Sequence, residues 1–137
     1  MKHILLVALA AVALTANGQE TFKARLRPVP VDAALARTIM GSGQATATLT
    51  GAKLTVTGTF EGLQSPATTL KIHSGGKMGV RGNAILDLAI TKAAAGMLSG
   101  SVDLTPAQVE ALHTGKLYLQ IAAEKAPDGN LWGWFTK

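Results

Sequence analysis

The chain of 137 residues contains no cysteine. Disulfides, thiolate metal ligands, a thiol nucleophile and a lipid-modified cysteine are thereby all excluded. Aromatic residues are scarce too, with three Phe, two Trp and one Tyr. A domain of this length must close its core largely with aliphatic side chains, and Ala, Thr and Gly are plentiful. There is no Gly-x-Ser-x-Gly elbow, no G-x-x-x-x-G-K-[ST] phosphate loop and no H-x-H or H-x-x-x-H pair. No basic helical stripe or RNA-binding aromatic motif occurs, so specific nucleic-acid binding is not expected.

The longest apolar run, Ile4 to Ala16, falls short of the roughly 20 residues that span a bilayer. A short basic start, Met1-Lys2-His3, precedes it. Ala16-Asn17-Gly18 follows, with small residues at the −3 and −1 positions of a signal-peptidase site. We read residues 1–18 as a secretory signal peptide and 19–137 as one exported domain, secreted or periplasmic. No membrane span is expected after cleavage. The exported part then carries twelve Lys/Arg against eight Asp/Glu, a mild and scattered positive balance.

What is present is strand-like. Phe22 to Leu26 alternates in character, and Pro28 and Pro30 end it. Asp32 to Ala36 reads as one helical turn with Asp32 as N-cap. Gln44–Thr50 and Lys53–Phe60 both alternate with period two around Gly51-Ala52, a hairpin turn of type II′. Pairing Thr50 with Lys53 sets Leu49 opposite Leu54 and Ala47 opposite Val56, so turn and pattern agree on one register. Thr68–His73 turns Leu70 and Ile72 inward, which sends Lys71 and His73 to the other face. Ala84, Leu86, Leu88 and Ile90 share one face of the next strand, and Leu98, Val102 and Leu104 align on the one after it. Thr105-Pro106-Ala107-Gln108 opens a helix with a capping box and Pro at N1, and Gly115 stops it. Lys116–Ala123 is a strand, Pro127–Asn130 a turn, and Leu131–Phe135 the last strand. About seven short strands with one short helix predict an all-β fold: an antiparallel β-sandwich, immunoglobulin-like or superoxide-dismutase-like.

Reactive groups are few. The stretch His73–Gly82 (HSGGKMGVRG) is glycine-rich and basic, but no helix follows to hold a phosphate, so it reads as a turn between strands. His73 has no companion ligands in sequence, and His113 is suited by its place near a helix C-terminus. Ser74 points away from His73, and no pair of carboxylates marks a glycosidase. No catalytic residue, metal ligand set or cofactor is identified, and the chain is not expected to be an enzyme. Trp132 and Trp134 share one face of the last strand, off the core side. They are placed to stack on a sugar or a partner, although Trp more often caps a sheet edge or packs under a loop. The Thr-x-Thr rows suit the solvent side of strands.

Five segments in order resemble the chordin-type (CHRD) domain and its single-domain secreted bacterial members. They are FKARLRPVPVDAALA (22–36), GSGQATATLTGAKLTVTGTFEGLQSPATTLKIHSG (41–75), VRGNAILDL (80–88), GMLSGSVDLTPAQVEALHTGKLYLQI (96–121) and PDGNLWGWF (127–135). The resemblance implies an extracellular all-β module that binds a protein or an envelope polysaccharide, or serves structurally. The family's pattern carries A-H-I-H-x-G where this chain has Leu70-Lys71-Ile72-His73-Ser74-Gly75. It also carries a histidine after Tyr-x-x-Ile, where this chain has Ala122 after Tyr118–Ile121. Only His73 matches, so Lys71 and Ala122 depart from the pattern. An H-x-H strand also looks like copper–zinc superoxide dismutase, which gives a second reading: a redox protein whose metal site has degenerated. The contact surface expected for a binding module comprises Lys71, His73, Tyr118, Trp132 and Trp134.

Overall fold

A computed structural model describes residues 18–31 and 36–137 of the chain. Most of the expected signal peptide, and the turn capped by Asp32, lie outside the described residues. Ala36–Thr38 forms a short 3-10 turn. Among the described residues there are eight strands and one α-helix. The strands are β1 (Glu20–Pro28), β2 (Ser42–Thr50), β3 (Lys53–Glu61), β4 (Ala67–Ser74), β5 (Asn83–Ile90), β6 (Gly96–Asp103), β7 (Leu117–Ala123) and β8 (Ala126–Trp134); the helix is α1 (Pro106–His113).

The all-antiparallel, one-helix expectation holds, but the sheet closes. Its order is β1-β2-β3-β6-β5-β4-β7-β8 and back to β1. An open sandwich of about seven strands is therefore replaced by an eight-stranded barrel. Two strands make the difference, because each pairs on both sides. β1 pairs with β2 along Glu20–Leu26, then with β8 through Arg27↔Trp132 and Pro28↔Leu131. β5 pairs with β4, then with β6 through Ala89↔Ser99 and Ile90↔Leu98. Both seams are short. Inward/outward alternation is the same in a sandwich and a barrel, so the pattern alone does not reveal the closure.

The β2–β3 hairpin takes the predicted register, with Leu49↔Leu54, Ala47↔Val56 and Thr50↔Lys53. Gly51 has φ +65° and Ala52 has no positive φ, as the type II′ turn demands. Phe22, Ala24 and Leu26 of β1 meet Ala45, Ala47 and Leu49 of β2 inside the barrel, all buried. Ile72, Leu119, Ile121 and Leu131 complete the opposite wall. Helix α1 carries the chain from β6 to β7, which are separated by β5 and β4, and buries Leu112 against the core. Its capping box is formed: Gln108 N–H donates to Thr105 Oγ1 at 3.2 Å, and Thr105 N–H donates to Gln108 Oε1 at 2.9 Å.

Two local expectations are corrected. Pro127–Asn130 is not a turn but part of β8; the reversal falls on Glu124-Lys125, with Ala123↔Ala126 pairing across it. Pro127, the second residue of β8, tolerates its missing N–H because a register shift disrupts the ladder there, between Ile121 and Ala123. Ala84 does not share a face with Leu86. The β4–β5 register jumps from Ile72↔Leu86 to His73↔Ala84, so Ile85 is an extra residue and Ala84 turns outward beside His73.

One ionic cluster joins three distant parts of the chain. Glu20 at the start of β1 accepts from His113 Nε2 at 2.8 Å and from Lys137 Nζ at 2.8 Å. The hydrogen bond from Lys137, then that from His113, holds the Glu20 carboxyl below its ordinary range. A depressed carboxyl stabilises the fold above its unfolded pKa, and that contribution is lost as pH falls through the folded value. Glu20→Gln is therefore expected to lower the thermal midpoint near neutral pH. The gap to the parent should close in acid, below the ordinary carboxyl range, where the parent's Glu20 is protonated. Thermal unfolding followed by circular dichroism at both ends of the range checks this; a gap that stays constant would refute it.

Candidate functional site

Strand parity places five sequence-flagged residues on the outside of one wall. Lys71 pairs with Gln120 and His73 with Tyr118 across β4–β7; Gln120 pairs with Trp132 and Tyr118 with Trp134 across β7–β8. Lys71, His73, Tyr118, Trp132 and Trp134 therefore form one patch, as their spacing implies. Their accessibility differs from expectation. Tyr118 is 1% exposed and Trp134 9%, although both point away from the core. Trp132 is half-buried. The indole pair is thus no free stacking platform.

What covers them is aromatic packing and one loop. The His73 ring stacks on Tyr118 at 4.9 Å, Tyr118 stacks on Trp134 at 4.3 Å, and Trp132 meets Trp134 edge-on at 4.6 Å. The 75–82 loop between β4 and β5 folds over this layer. Its Gly82 N–H donates to Tyr118 Oη at 3.0 Å, and the Tyr118 hydroxyl lies 3.3 Å from the Gly82 carbonyl as a donor. The same carbonyl accepts from His73 Nδ1 at 2.9 Å. A carbonyl cannot donate, so Nδ1 carries the proton. When the ring is neutral, Nε2 is then its free acceptor. Gly82 is required here: a Cβ on it would be driven into the Ser74 carbonyl. Arg81 next to it lies over Trp132 at 5.3 Å. The loop is a turn between strands, as read from sequence, but it also clamps the patch, which the sequence reading did not foresee.

Beside the layer is a pocket of about 340 Å³, lined among others by Lys71, His73, Arg81, Tyr118, Gln120 and Asp128. Trp132 and Trp134 do not line it; they border a neighbouring hollow with Met78 of the same loop. Gln120 Oε1 is buried without a hydrogen-bond partner. The Gln120 amide lies against Gly129, where a Cβ would stand 2.9 Å from its carbon. Lys71 Nζ is 3.8 Å from Asp87, both well exposed, so its ammonium remains available. Gln120, Arg81 and Asp128 were not singled out from sequence. Only strand pairing brings Gln120 opposite Lys71, and nothing local marks Arg81 or Asp128.

The three positions at which the family pattern carries histidine, 71, 73 and 122, all line this pocket. Here they hold an ammonium, one imidazole and a methyl group. His113 does not join them; it is engaged by Glu20. Among the described residues no three His, Cys, Asp or Glu side chains converge as a metal ion requires. The residues present do not fit a copper or zinc centre.

The architecture is a closed antiparallel barrel with a polar pocket on its outer wall, an arrangement suited to binding. The CHRD-domain family model matches residues 14–134, nearly the whole chain. The chain belongs to the CHRD-domain family. No curated protein and no solved structure matches it significantly.

Two outcomes test the site. Tyr118→Phe strands the Gly82 N–H, and should cost about 1–3 kcal/mol in urea unfolding. No measurable loss would show that the loop does not depend on the phenol. Calorimetric titration of the parent with copper or zinc should show no tight stoichiometric binding; such binding, if abolished by His73→Ala, would contradict the ligand assignment.

Proposed function

We propose that this CHRD domain is a non-enzymatic, exported binding module, and that the pocket over β4 and β7 takes a sugar unit of an envelope polysaccharide. The carrying observation is Gln120: a buried amide oxygen without a protein partner, in a pocket rimmed by Lys71, Arg81 and Asp128. Buried polar atoms in native proteins are nearly always satisfied, so an orphan on a residue that lines a pocket points to an external partner. Ring hydroxyls both donate and accept, and a mixed rim of ammonium, guanidinium, carboxylate and amide matches them. The volume is also within the range of small-ligand sites.

The non-enzymatic reading is supported by how His73 is used. Its Nδ1 is committed to a backbone carbonyl, and neither a carboxylate nor a serine hydrogen-bonds the ring. A general base with an orienting acid and an adjacent nucleophile is therefore not assembled around it.

Titration of residues 19–137 with neutral and uronic-acid oligosaccharides tests the proposal. Saturable binding is expected, with a change in Trp emission because Trp132 adjoins Gln120. Gln120→Ala should weaken it about tenfold, the loss of one or two hydrogen bonds. Absence of binding across the sugar set, or equal binding by Gln120→Ala, would defeat the pocket assignment.

A further inference from the structure

We propose that the outer face of β1 is a second binding surface, a cationic track for an acidic polysaccharide. It adds a ligand class to the reading above but uses residues outside the pocket, so the two fail separately.

Lys23, Arg25 and Arg27 occupy alternate positions of β1 and are all exposed. Alternate residues of a strand stand about 7 Å apart on one face. The row cannot slip, because the intervening Phe22, Ala24 and Leu26 are each at most 2% exposed. Among the described residues no carboxylate pairs with any of the three; the ion pairs formed are Lys71–Asp87, His113–Glu20 and Lys137–Glu20. Neighbouring β2 has no acidic residue, and β3 has only its last, Glu61. Three uncompensated cations in a line call for a partner with repeated anionic groups. The two guanidinium forks suit carboxylate or sulfate oxygens in bidentate fashion.

The surroundings favour a polysaccharide over a nucleic acid. On the β2 side an open depression of about 600 Å³ is walled by Lys23, Arg25, Gln44, Thr46, Thr57 and Thr59. These neutral amide and hydroxyl groups hydrogen-bond to sugar hydroxyls in either sense. On the β8 side, Arg25 and Arg27 border the hollow with Trp132 and Trp134, where Trp134 Nε1 is buried without an acceptor. The indoles are packed against each other and Tyr118, and Arg81 covers Trp132, so no open ring face is offered for base stacking.

The test compares binding of the exported domain to heparin, polygalacturonate, neutral dextran and an oligo-thymidylate. Both acidic polysaccharides should bind more tightly than dextran, and that advantage should shrink as salt rises. Replacing Lys23, Arg25 and Arg27 together by Gln should weaken both by about tenfold or more, whereas Lys92→Gln, an exposed lysine between β5 and β6 that borders neither the row nor the pocket, should leave polyanion binding unchanged. Replacing Lys23 by Arg preserves charge and should preserve binding. The inference is overturned by equal retention on dextran, by a triple variant that binds like the parent while keeping its circular dichroism spectrum, or by tighter binding to the oligo-thymidylate than to either polysaccharide.

Discussion

The fold depends on closing the backbone hydrogen-bond ladder without any covalent tie. The two seams, β1–β8 and β5–β6, each rest on two paired positions. A strand edge left open exposes unpaired N–H and C=O groups. Here β1 and β5 prevent this by serving one neighbour with most of their length and the other with their final residues. A bridge between Lys23 and Thr136 adds to the first seam beyond the end of β8, with hydrogen bonds of 2.7 and 2.9 Å. With no cysteine to cross-link the chain, these pairings and the aliphatic interior hold the barrel together.

Closure has a consequence for the outer wall. The barrel interior is filled by Leu, Ile, Val, Ala and the three Phe rings, whereas Tyr118 and both Trp residues are directed outward by parity. Tyr118 and Trp134 are hidden from water all the same, and Trp132 is half-hidden, by stacking on one another and by the 75–82 loop. The phenol of Tyr118 is what attaches that loop, through a reciprocal pair of contacts with Gly82. The aromatic layer therefore supports the site. It fixes Arg81, Gly82 and His73 along one side of a pocket whose ligand-facing groups are the polar ones.

Legibility from sequence follows the range of the interactions. The β2–β3 hairpin and the capping box of α1 were readable because turn chemistry and local alternation determine them. Strand parity also placed Lys71, His73, Tyr118, Trp132 and Trp134 on one outer face, given that the strands pair. Three things were not local. Barrel closure depends on residues about a hundred positions apart, such as Arg27 and Trp132. The bulge at Ile85 shows no glycine or proline to mark it, and it moves Ala84 to the other face. The burial of Trp134 depends on its neighbours in space, Tyr118 and Trp132, and its strand pattern looks the same whether exposed or covered. Pro127-Asp128-Gly129 misled for the opposite reason: its turn-like composition marks the irregular stretch of β8 between the Ala123↔Ala126 and Ile121↔Leu131 pairs, while the reversal itself falls on Glu124-Lys125.

The departures from the family's histidine pattern gain meaning from where the fold puts them. Positions 71, 73 and 122 meet at one pocket, so a change at any of them alters the same space. Ala122 lines that space with only a methyl group, and Gly129 beneath Gln120 has no side chain to displace the amide. Lys71 sets a cation where an imidazole would sit. Its ammonium reaches Asp87 at the rim, on a long stem that an imidazole lacks. Small residues that open a volume, an amide left without a partner and a fixed positive charge are together the requirements of polar ligand recognition. A metal centre needs the reverse, several convergent donors that fill the space around one ion. The residues at 71 and 122 therefore fit the proposed binding through hydrogen bonds and charge better than they fit a metal centre.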